Sequence, residues 1–462
     1  MAISSMKAVF AVWLALVCSR IITFTATVSA IQVPRDDFLS FGRFAMYSNI
    51  DVPGKFNSSI TLEIYTKADC QSECANSTLV LAVAAYSTLK SMREQGADID
   101  VCCWMYGCGD AVVPNSTEVT LYYQALAPDT NVSWTHQISQ TDLYDVFITL
   151  CKGSTRALIL SGSIQLLNPF GYLPGETYPY LFFFFTALCA YGFLLCLWTT
   201  LLYWHWQAAI PLQKCYIPWL LLVCASEDGL AYLSWTYLNE VGITSYPLFF
   251  SGLVANSIRN TLARVLMLVV SMGYGITIPQ LKHKGWIATL GVVFFIANLG
   301  YICVSVAQHF SPIALHYLFL ATLPISLLST VFYLWTFLSL TFTMRKLQEE
   351  QQPYKLAIFK RLTLLFVLVI LASVLWFLVE CYYRFTQDKE DYWQILWRFE
   401  AAWHVLFFIT IAGIITMWRP TAQSKLLAFT LELVEPRDVS ASELGKQHGI
   451  QLHQIGYEGE SS

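Results

Sequence analysis

From about residue 178 onward, the chain alternates between long apolar stretches and short polar segments. Each stretch reaches or approaches the roughly 20 residues that an α-helix needs to cross the hydrocarbon core of a bilayer. A backbone inside lipid must satisfy its own hydrogen bonds, so these stretches are predicted to be helices. The seven predicted spans are residues 178–203, 216–238, 247–271, 286–307, 313–337, 362–382 and 399–418.

The first 30 residues have the pattern of a secretory signal peptide. Lys7 provides a basic start, residues 8–18 form an apolar core, and residues 28–30 (Val-Ser-Ala) supply the small side chains of a cleavage site. The alternative is an uncleaved anchor. It is disfavoured because Arg20 and the polar run over residues 23–29 leave too short an apolar stretch for a full span.

Residues 31–177 contain shorter runs with the composition of β-strands. The runs are rich in Ile, Val, Leu, Thr and Tyr, and turn-forming Gly, Pro, Asn and Asp lie between them. This spacing predicts a small β-sandwich, with a short helix over residues 87–95. The predicted strands are residues 60–65, 79–86, 119–123, 146–150 and 158–167.

The same segment contains four N-x-[ST] sequons and six cysteines, and no sequon follows it. Sequons confined to a segment behind a signal peptide indicate a glycosylated lumenal domain, where disulfides persist. Six cysteines allow fifteen connectivities, and the adjacent Cys102 and Cys103 cannot comfortably bond each other. A zinc site is the alternative for these cysteines. The residues concerned are Asn57, Asn76, Asn115 and Asn131, and Cys70, Cys74, Cys102, Cys103, Cys108 and Cys151.

Composition and charge support this organisation. Hydrophobic residues make up 56% of the chain and charged residues only 13%, against about 25% charged residues in average proteins. The net charge of −4 does not favour a nucleic-acid partner.

The loops after spans one, three and five hold eight Lys and Arg residues, whereas the opposite loops hold Arg384 and Lys389, with Arg398 at a boundary. The positive-inside rule therefore predicts a lumenal N-terminus and a cytosolic, flexible tail over residues 419–462.

Four charged residues lie inside the predicted spans. Glu227 and Asp228 are halfway along span two, Arg259 is halfway along span three, and Arg264 follows about a turn and a half deeper. Each such charge costs about 2.5–3.5 kcal/mol at mid-depth, so these residues are expected to face the bundle interior and find partners. Their matching depth predicts an ion pair between one acid and Arg259. The pair is either part of a polar cavity or switch, or a structural contact that fixes helix packing.

A second polar group is predicted at the lumenal ends of the spans. Glu380 ends span six, Glu400 and His404 share one face of span seven, and His316 lies beside the loop after span four, as does His309. This group is either a lumenal pH sensor or an ordinary hydrated rim. Cys381 is a further disulfide candidate that would join the ectodomain to the bundle. It brings the lumenal cysteines to seven, so at least one would lack a partner among them.

Several short motifs occur in a fixed order along the bundle. They are residues 168–174 (Asn-Pro-Phe-Gly-Tyr-Leu-Pro), 259–264 (Arg-Asn-Thr-Leu-Ala-Arg), 268–275 (Leu-Val-Val-Ser-Met-Gly-Tyr-Gly) and 418–420 (Trp-Arg-Pro). In these motifs the sequence resembles the GOST family, also called the lung seven-transmembrane receptor family, and most closely its transmembrane protein 87 branch. The resemblance implies a membrane protein with a lumenal GOLD-like β-sandwich above a seven-helix bundle.

The resemblance also implies Golgi residence and a part in vesicle-mediated transport of membrane proteins between Golgi, endosomes and plasma membrane. The expected partners are membrane lipids and transmembrane or lipidated cargo proteins, which the chain would hold as a chaperone. A cation channel or transporter gated by lumenal pH or voltage is the main alternative. An intramembrane zinc hydrolase using His309, His316 and His404 is a weaker alternative, because these residues form no local ligand motif. No catalytic or nucleotide-binding motif occurs, so neither an enzyme nor a cofactor is expected.

Overall fold

The computed structural model describes residues 28–34, 39–65, 78–95, 100–106, 119–125, 131–151, 157–278, 281, 284–310 and 315–420. Most of the predicted signal peptide and nearly all of the predicted tail lie outside these residues. So do the predicted sites at Asn76, Asn115, Cys70, Cys74 and Cys108. The side chains of His309 and His316 also lie outside the described part of the chain.

The N-terminal part is a β-sandwich, as the strand pattern predicts. Its described strands form two four-stranded antiparallel sheets, ordered β1-β8-β3-β6 and β2-β7-β4-β5. β1 pairs with β8 without interruption only from Ile31, the first residue after the predicted cleavage site. The strands are β1 Val28–Pro34, β2 Leu39–Met46, β3 Ser59–Tyr65, β4 Thr78–Ala85, β5 Val119–Ala125, β6 Asn131–Gln137, β7 Asp142–Cys151 and β8 Ala157–Leu167.

Strands β4 and β7 are buried on both faces. On one face, Leu81 of β4 lies beside Ile148 of β7 in the core between the two sheets. On the other, Val80 and Phe147 pack under two short helices, α1 Tyr86–Glu94 and α2 Val101–Tyr106. Two-sided burial explains why β4 reads as a continuous apolar run (Thr-Leu-Val-Leu-Ala-Val-Ala-Ala) instead of alternating.

A disulfide between Cys102 and Cys151 joins α2 to the end of β7. Cys103 is also disulfide-bonded, so the two adjacent cysteines do not bond each other. Cys381 carries a free thiol, and the prediction that it joins the ectodomain to the bundle is wrong. The physical reason is its position: on this side of the bundle the sandwich contacts Glu390 and Asp391, past the end of the helix that contains Cys381.

Seven long helices follow the sandwich. Each packs against the next one in sequence, the last returns to the first, and the third of them also packs against the fifth. Six of them are long and apolar enough to cross a membrane; α4 falls short because Glu227 and Asp228 lower its mean hydropathy. The helices are α3 Pro179–Trp204, α4 Ile217–Val241, α5 Tyr246–Ser271, α6 Lys284–Phe310, α7 Leu315–Glu349, α8 Pro353–Thr386 and α9 Leu396–Met417.

The linker over residues 168–174 joins the sandwich to the bundle. The Asn168 side chain accepts a hydrogen bond from the Tyr47 backbone amide at 2.9 Å and donates to the Leu173 carbonyl at 2.9 Å. At Gly171 the backbone has φ +140° and runs so close to Asn239 of α4 that a Cβ atom would lie 2.3 Å from the Asn239 carbonyl oxygen. Only glycine satisfies both constraints, and this explains why the motif has a glycine at position 171.

A second joint connects the sandwich to the segment between α8 and α9. Arg43 of β2 donates through Nε to both oxygens of Asp145 and through Nη1 to Glu390 at 2.6 Å. Lys90 of α1 binds Asp391 at 2.7 Å, and this hydrogen bond raises the pKa of Lys90. Between these pairs, Trp393 is buried in an apolar cluster with residues of the sandwich. The sandwich is therefore held on the connection between the last two helices.

Replacing Arg43 with alanine should loosen this joint. The substitution removes charge-assisted hydrogen bonds worth about 1.5–3 kcal/mol and leaves the half-buried Glu390 without its cation. In the purified full chain, amide hydrogen exchange over residues 389–395 should become roughly tenfold faster or more. Arg345→Ala is the control, because its pair with Glu349 is exposed and worth less than about 1 kcal/mol. Equal exchange in the two variants would contradict this role of Arg43.

Candidate polar site in the helix bundle

Glu227, Asp228 and Arg259 meet in the interior of the bundle. All three are buried, and Arg259 of α5 donates through Nη1 to Glu227 of α4 at 2.5 Å. The Asp228 carboxylate is less closely placed, with Oδ1 4.0 Å from the same nitrogen. The ion pair that the matching depths predict is therefore present, and Glu227 is its acidic member.

Two asparagines and one aromatic ring surround the ion pair between Glu227 and Arg259. Asn256 donates to Glu227 at 3.1 Å and in turn accepts a hydrogen bond from Asn260 at 3.0 Å. The guanidinium of Arg259 lies 5.0 Å from the ring centre of Phe407 on α9. Sequence reasoning missed these residues. The helical spacing of Asn256 and Arg259 was a usable signal, because residues three apart lie on one face of a helix.

His404 belongs to this site and not to the predicted lumenal-side group. Its Nδ1 lies 3.3 Å from Nη1 of Arg259, and its ring packs edge-to-face against Phe183 and Phe184. Because α9 begins at Leu396, His404 lies about two turns inside the helix and away from its end. A guanidinium can only donate, so Nδ1 must accept, and the imidazole is neutral with its proton on Nε2.

Asp228 occupies a side pocket of the site. Its side chain is 1% exposed, and within the described part of the chain no N–H group or hydroxyl donates a hydrogen bond to its carboxylate. It lines a cavity of about 150 Å³ together with Tyr191 and His404. Ligand atoms of Glu227, Asp228 and His404 lie within 4.8 Å of one another, close enough to hold a cation.

Arg264 is separate from the other intramembrane charges, contrary to the prediction of one four-residue cluster. It donates to the backbone carbonyl of Asn260 at 3.1 Å and lies 4.4 Å from the ring centre of Phe294. Five residues of helix turn it to a different side of α5 from Arg259. Among the described residues, no carboxylate lies within salt-bridge distance of Arg264, and its Nε atom has no acceptor.

The predicted lumenal-side group is only partly assembled. Glu380 pairs with Arg384 at 2.7 Å and accepts from Trp403, while Glu400 accepts from Tyr180 at 2.5 Å. Both carboxylates line an open cavity of about 840 Å³ at the sandwich end of the bundle. Because His404 faces Arg259 instead, it does not join them, and this position is unfavourable for the proposed three-histidine zinc site.

Asn57 and Asn131, the sequons among the described residues, carry exposed side chains on the sandwich. Their exposure is compatible with glycosylation. The modification itself stays a prediction.

The fold and this site define a class: a multi-pass helical membrane protein with a folded β-sandwich on one end and buried charges inside the bundle. The chain matches the GOST seven-transmembrane domain over residues 179–425, more than half of its length. It therefore belongs to the GOST family, and the relatives it matches align it with the transmembrane protein 87-like members.

Transmembrane protein 87A of Xenopus tropicalis is 27% identical over 289 residues, covering 62% of this chain and 52% of the relative. Transmembrane protein 87A of Mus musculus is 26% identical over 324 residues, covering 68% and 57%. Membrane protein PTM1 of Saccharomyces cerevisiae is 25% identical over 325 residues, covering 67% and 60%. The chain thus spans little more than half the length of the curated relatives it matches.

Removing one partner of the buried pair should destabilise the bundle strongly. Arg259→Met leaves two carboxylates buried without their cation, which costs about 3–5 kcal/mol. Glu227→Gln keeps an oxygen for Asn256 and Arg259, so its cost should be smaller. The measurement is thermal unfolding of the purified full chain in detergent.

Ser226→Ala is the control for both variants. The Ser226 hydroxyl is exposed and bonds only to the Val223 carbonyl of its own helix, so the change should cost less than about 0.5 kcal/mol. If Arg259→Met is as stable as Ser226→Ala, the pair does not hold the helices together.

Proposed function

We propose that this chain is a Golgi membrane protein that acts in membrane-protein trafficking, as a chaperone that holds a lipid or a lipidated or transmembrane cargo segment in its helix bundle. The Golgi location and the trafficking role rest on family resemblance. The proposal assigns no enzymatic activity and no cofactor to the chain. Its partners are membrane lipids and cargo proteins, with the N-terminus lumenal and the C-terminus cytosolic.

The observation that carries the proposal is an apolar cavity of about 530 Å³ between α5, α7, α8 and α9. This volume lies within the range of about 300–1,000 Å³ that small-molecule sites occupy. Its walls include Phe332, Phe366 and Leu406, and Arg264 is its charged residue. An acyl chain would match the walls, and its ester or carboxylate oxygen would give the Nε atom of Arg264 the acceptor that this atom lacks within the described structure.

The position of the sandwich supports a link between cargo and cavity. The sandwich is held on the segment between α8 and α9, and both helices wall the cavity. A cargo protein that shifted the sandwich would therefore act on the two helices that enclose the lipid site.

Filling the cavity should reduce lipid binding. Thr336 is buried in the wall of the cavity on α7, so Thr336→Trp places a large ring where the acyl chain would lie. Lipid that co-purifies with the full chain, measured by mass spectrometry, should fall several-fold. Thr330→Trp is the matched control, because Thr330 lies on the same helix with an exposed side chain. Unchanged lipid content in Thr336→Trp would contradict the proposed site.

Arg264→Gln tests the headgroup end of the same site. Loss of the positive charge should shift the co-purified lipids away from anionic species without emptying the cavity.

In cells, loss of the chain should deplete specific Golgi or surface membrane proteins, and the wild type but not Thr336→Trp should restore them.

A cation channel or transporter is the second candidate, favoured by the cavity at the sandwich end. Its titratable lining is mainly acidic, with Glu176, Glu380, Asp388 and Glu400 against Arg384. Such a lining concentrates cations. Trp403 lines both this cavity and the apolar one, so it lies where the two approach each other.

Ion flux through liposomes that contain the purified chain tests this candidate. If the acidic cavity is the entrance, Glu400→Gln should lower cation flux several-fold, whereas Glu349→Gln on the exposed end of α7 should leave it unchanged. Flux no greater than in protein-free liposomes, at any pH or voltage, would exclude the channel and leave the lipid carrier.

A further inference from the structure

Arg264 is a buried cation whose charge is not balanced. Its Nη1 atom donates to the Asn260 carbonyl at 3.1 Å, and the hydroxyl of Tyr333 on α7 also interacts with the guanidinium. The ring centre of Phe294 lies 4.4 Å from the guanidinium carbon. All three partners are neutral, and within the described residues no carboxylate pairs with Arg264. An unpaired charge inside the hydrocarbon layer is costly, so this site calls for one anion.

The apolar cavity beside Arg264 offers few other donors to a ligand. Thr410 and Ser373 line it, but each hydroxyl already donates to a carbonyl of its own helix, at Leu406 and Ile370. A ligand with several polar groups would therefore bury some of them without partners, which is unfavourable. A guanidinium can donate in parallel to both oxygens of one carboxylate, and the Nε atom of Arg264 still lacks an acceptor in the described structure. The lining thus favours a ligand with one compact anionic group.

The depth of Arg264 disfavours a phospholipid headgroup. Arg264 lies seven residues before the end of α5 at Ser271, so about 10 Å of helix separate it from that end. The headgroups of a bilayer lie outside its hydrocarbon core. A phosphate bound to Arg264 would have to be drawn inward together with its hydration and the two glycerol esters. A carboxylate at the end of an acyl chain enters with no further polar group.

The volume of the cavity limits the number of chains. It measures about 530 Å³. A methylene group takes up about as much space as a water molecule in the liquid, roughly 30 Å³, so the cavity has room for one chain of up to about 18 carbons. The second chain of a diacyl lipid would have to stay outside.

We propose that this cavity binds a free long-chain fatty acid, with its carboxylate paired to Arg264 and its single chain against the apolar walls. The inference rests on the proposed lipid-carrier function and narrows its ligand to one chemical class. One carboxylate neutralises the guanidinium, whereas an ester-linked chain or a fatty alcohol fills the same space and leaves the cation unpaired. A chain attached to a cargo protein through an ester would then bind less tightly than the free acid.

The test is equilibrium binding of tritiated palmitate to the purified full chain in detergent. Saturable binding of one palmitate per chain is expected, and excess unlabelled palmitate should displace it. Methyl palmitate has the same chain without the charge, so it should compete at least tenfold less well, as should a diacyl phosphatidic acid. Thr336→Trp, which fills the cavity, should abolish saturable binding.

Variants of Arg264 test the anion partner directly. Arg264→Gln should weaken palmitate binding at least tenfold, and Arg264→Lys should recover part of the loss, because it keeps the charge without the two parallel donors. Arg345→Gln is the matched control. Arg345 is an exposed arginine near the end of α7, so this variant should bind palmitate like the wild type.

The comparison of acid with ester uses the wild type alone, so the proposal stays refutable even if Arg264→Gln does not fold. Equal competition by methyl palmitate, or full palmitate binding by Arg264→Gln, would overturn the carboxylate pairing and leave the lipid cavity in place. No saturable palmitate binding, together with binding of a phospholipid or an acylated peptide that Thr336→Trp removes, would overturn the fatty-acid assignment but not the carrier. If none of these lipids binds, the proposed carrier function fails as well.

Discussion

The ion pair between Arg259 and Glu227 is the constraint around which the bundle is organised. A charge inside the hydrocarbon layer must be buried against a partner, so these two residues determine which faces of α4 and α5 meet. His404 and Phe407 bring α9 to the same guanidinium. Two consecutive helices, α4 and α5, and the distant α9 are thereby held at one point, and the remaining apolar faces pack around them.

The sandwich is positioned by different physical means, through polar contacts and one small apolar cluster outside the helix bundle. Gly171 and Asn239 fix the linker to α4, while Arg43 and Lys90 bind the segment between α8 and α9. The sandwich thus contacts the bundle near its second helix, α4, and between its last two helices, α8 and α9. Because α8 and α9 also wall the apolar cavity, the second joint connects the sandwich to the interior of the bundle.

Much of this architecture is predictable, because buried apolar residues recur at regular intervals along the sequence. The seven helices, strands β3, β4, β5, β7 and β8, and the depth of Glu227 and Arg259 follow from local pattern and from the cost of charge in lipid, whereas β1, β2 and β6 are not among the strands predicted from the sequence. The candidate site was predicted only in part. A span seven that begins at residue 399 places His404 at the rim, but the helix begins earlier, at Leu396, and His404 lies inside it. Depth alone groups Arg264 with Arg259, although the two residues lie on different sides of α5.

By itself, the sequence determined which segments enter the membrane, which segment forms strands, and which side chains need buried partners. These properties depend on length, periodicity and the transfer free energy of single residues, all of which are local. Only the tertiary structure decided that Glu227 lies closer than Asp228 to Arg259, and that Arg264 faces an apolar cavity. Adjacent residues on one helix differ by about 100° in direction, so the choice of partner depends on how α3, α4, α5 and α9 are rotated against one another.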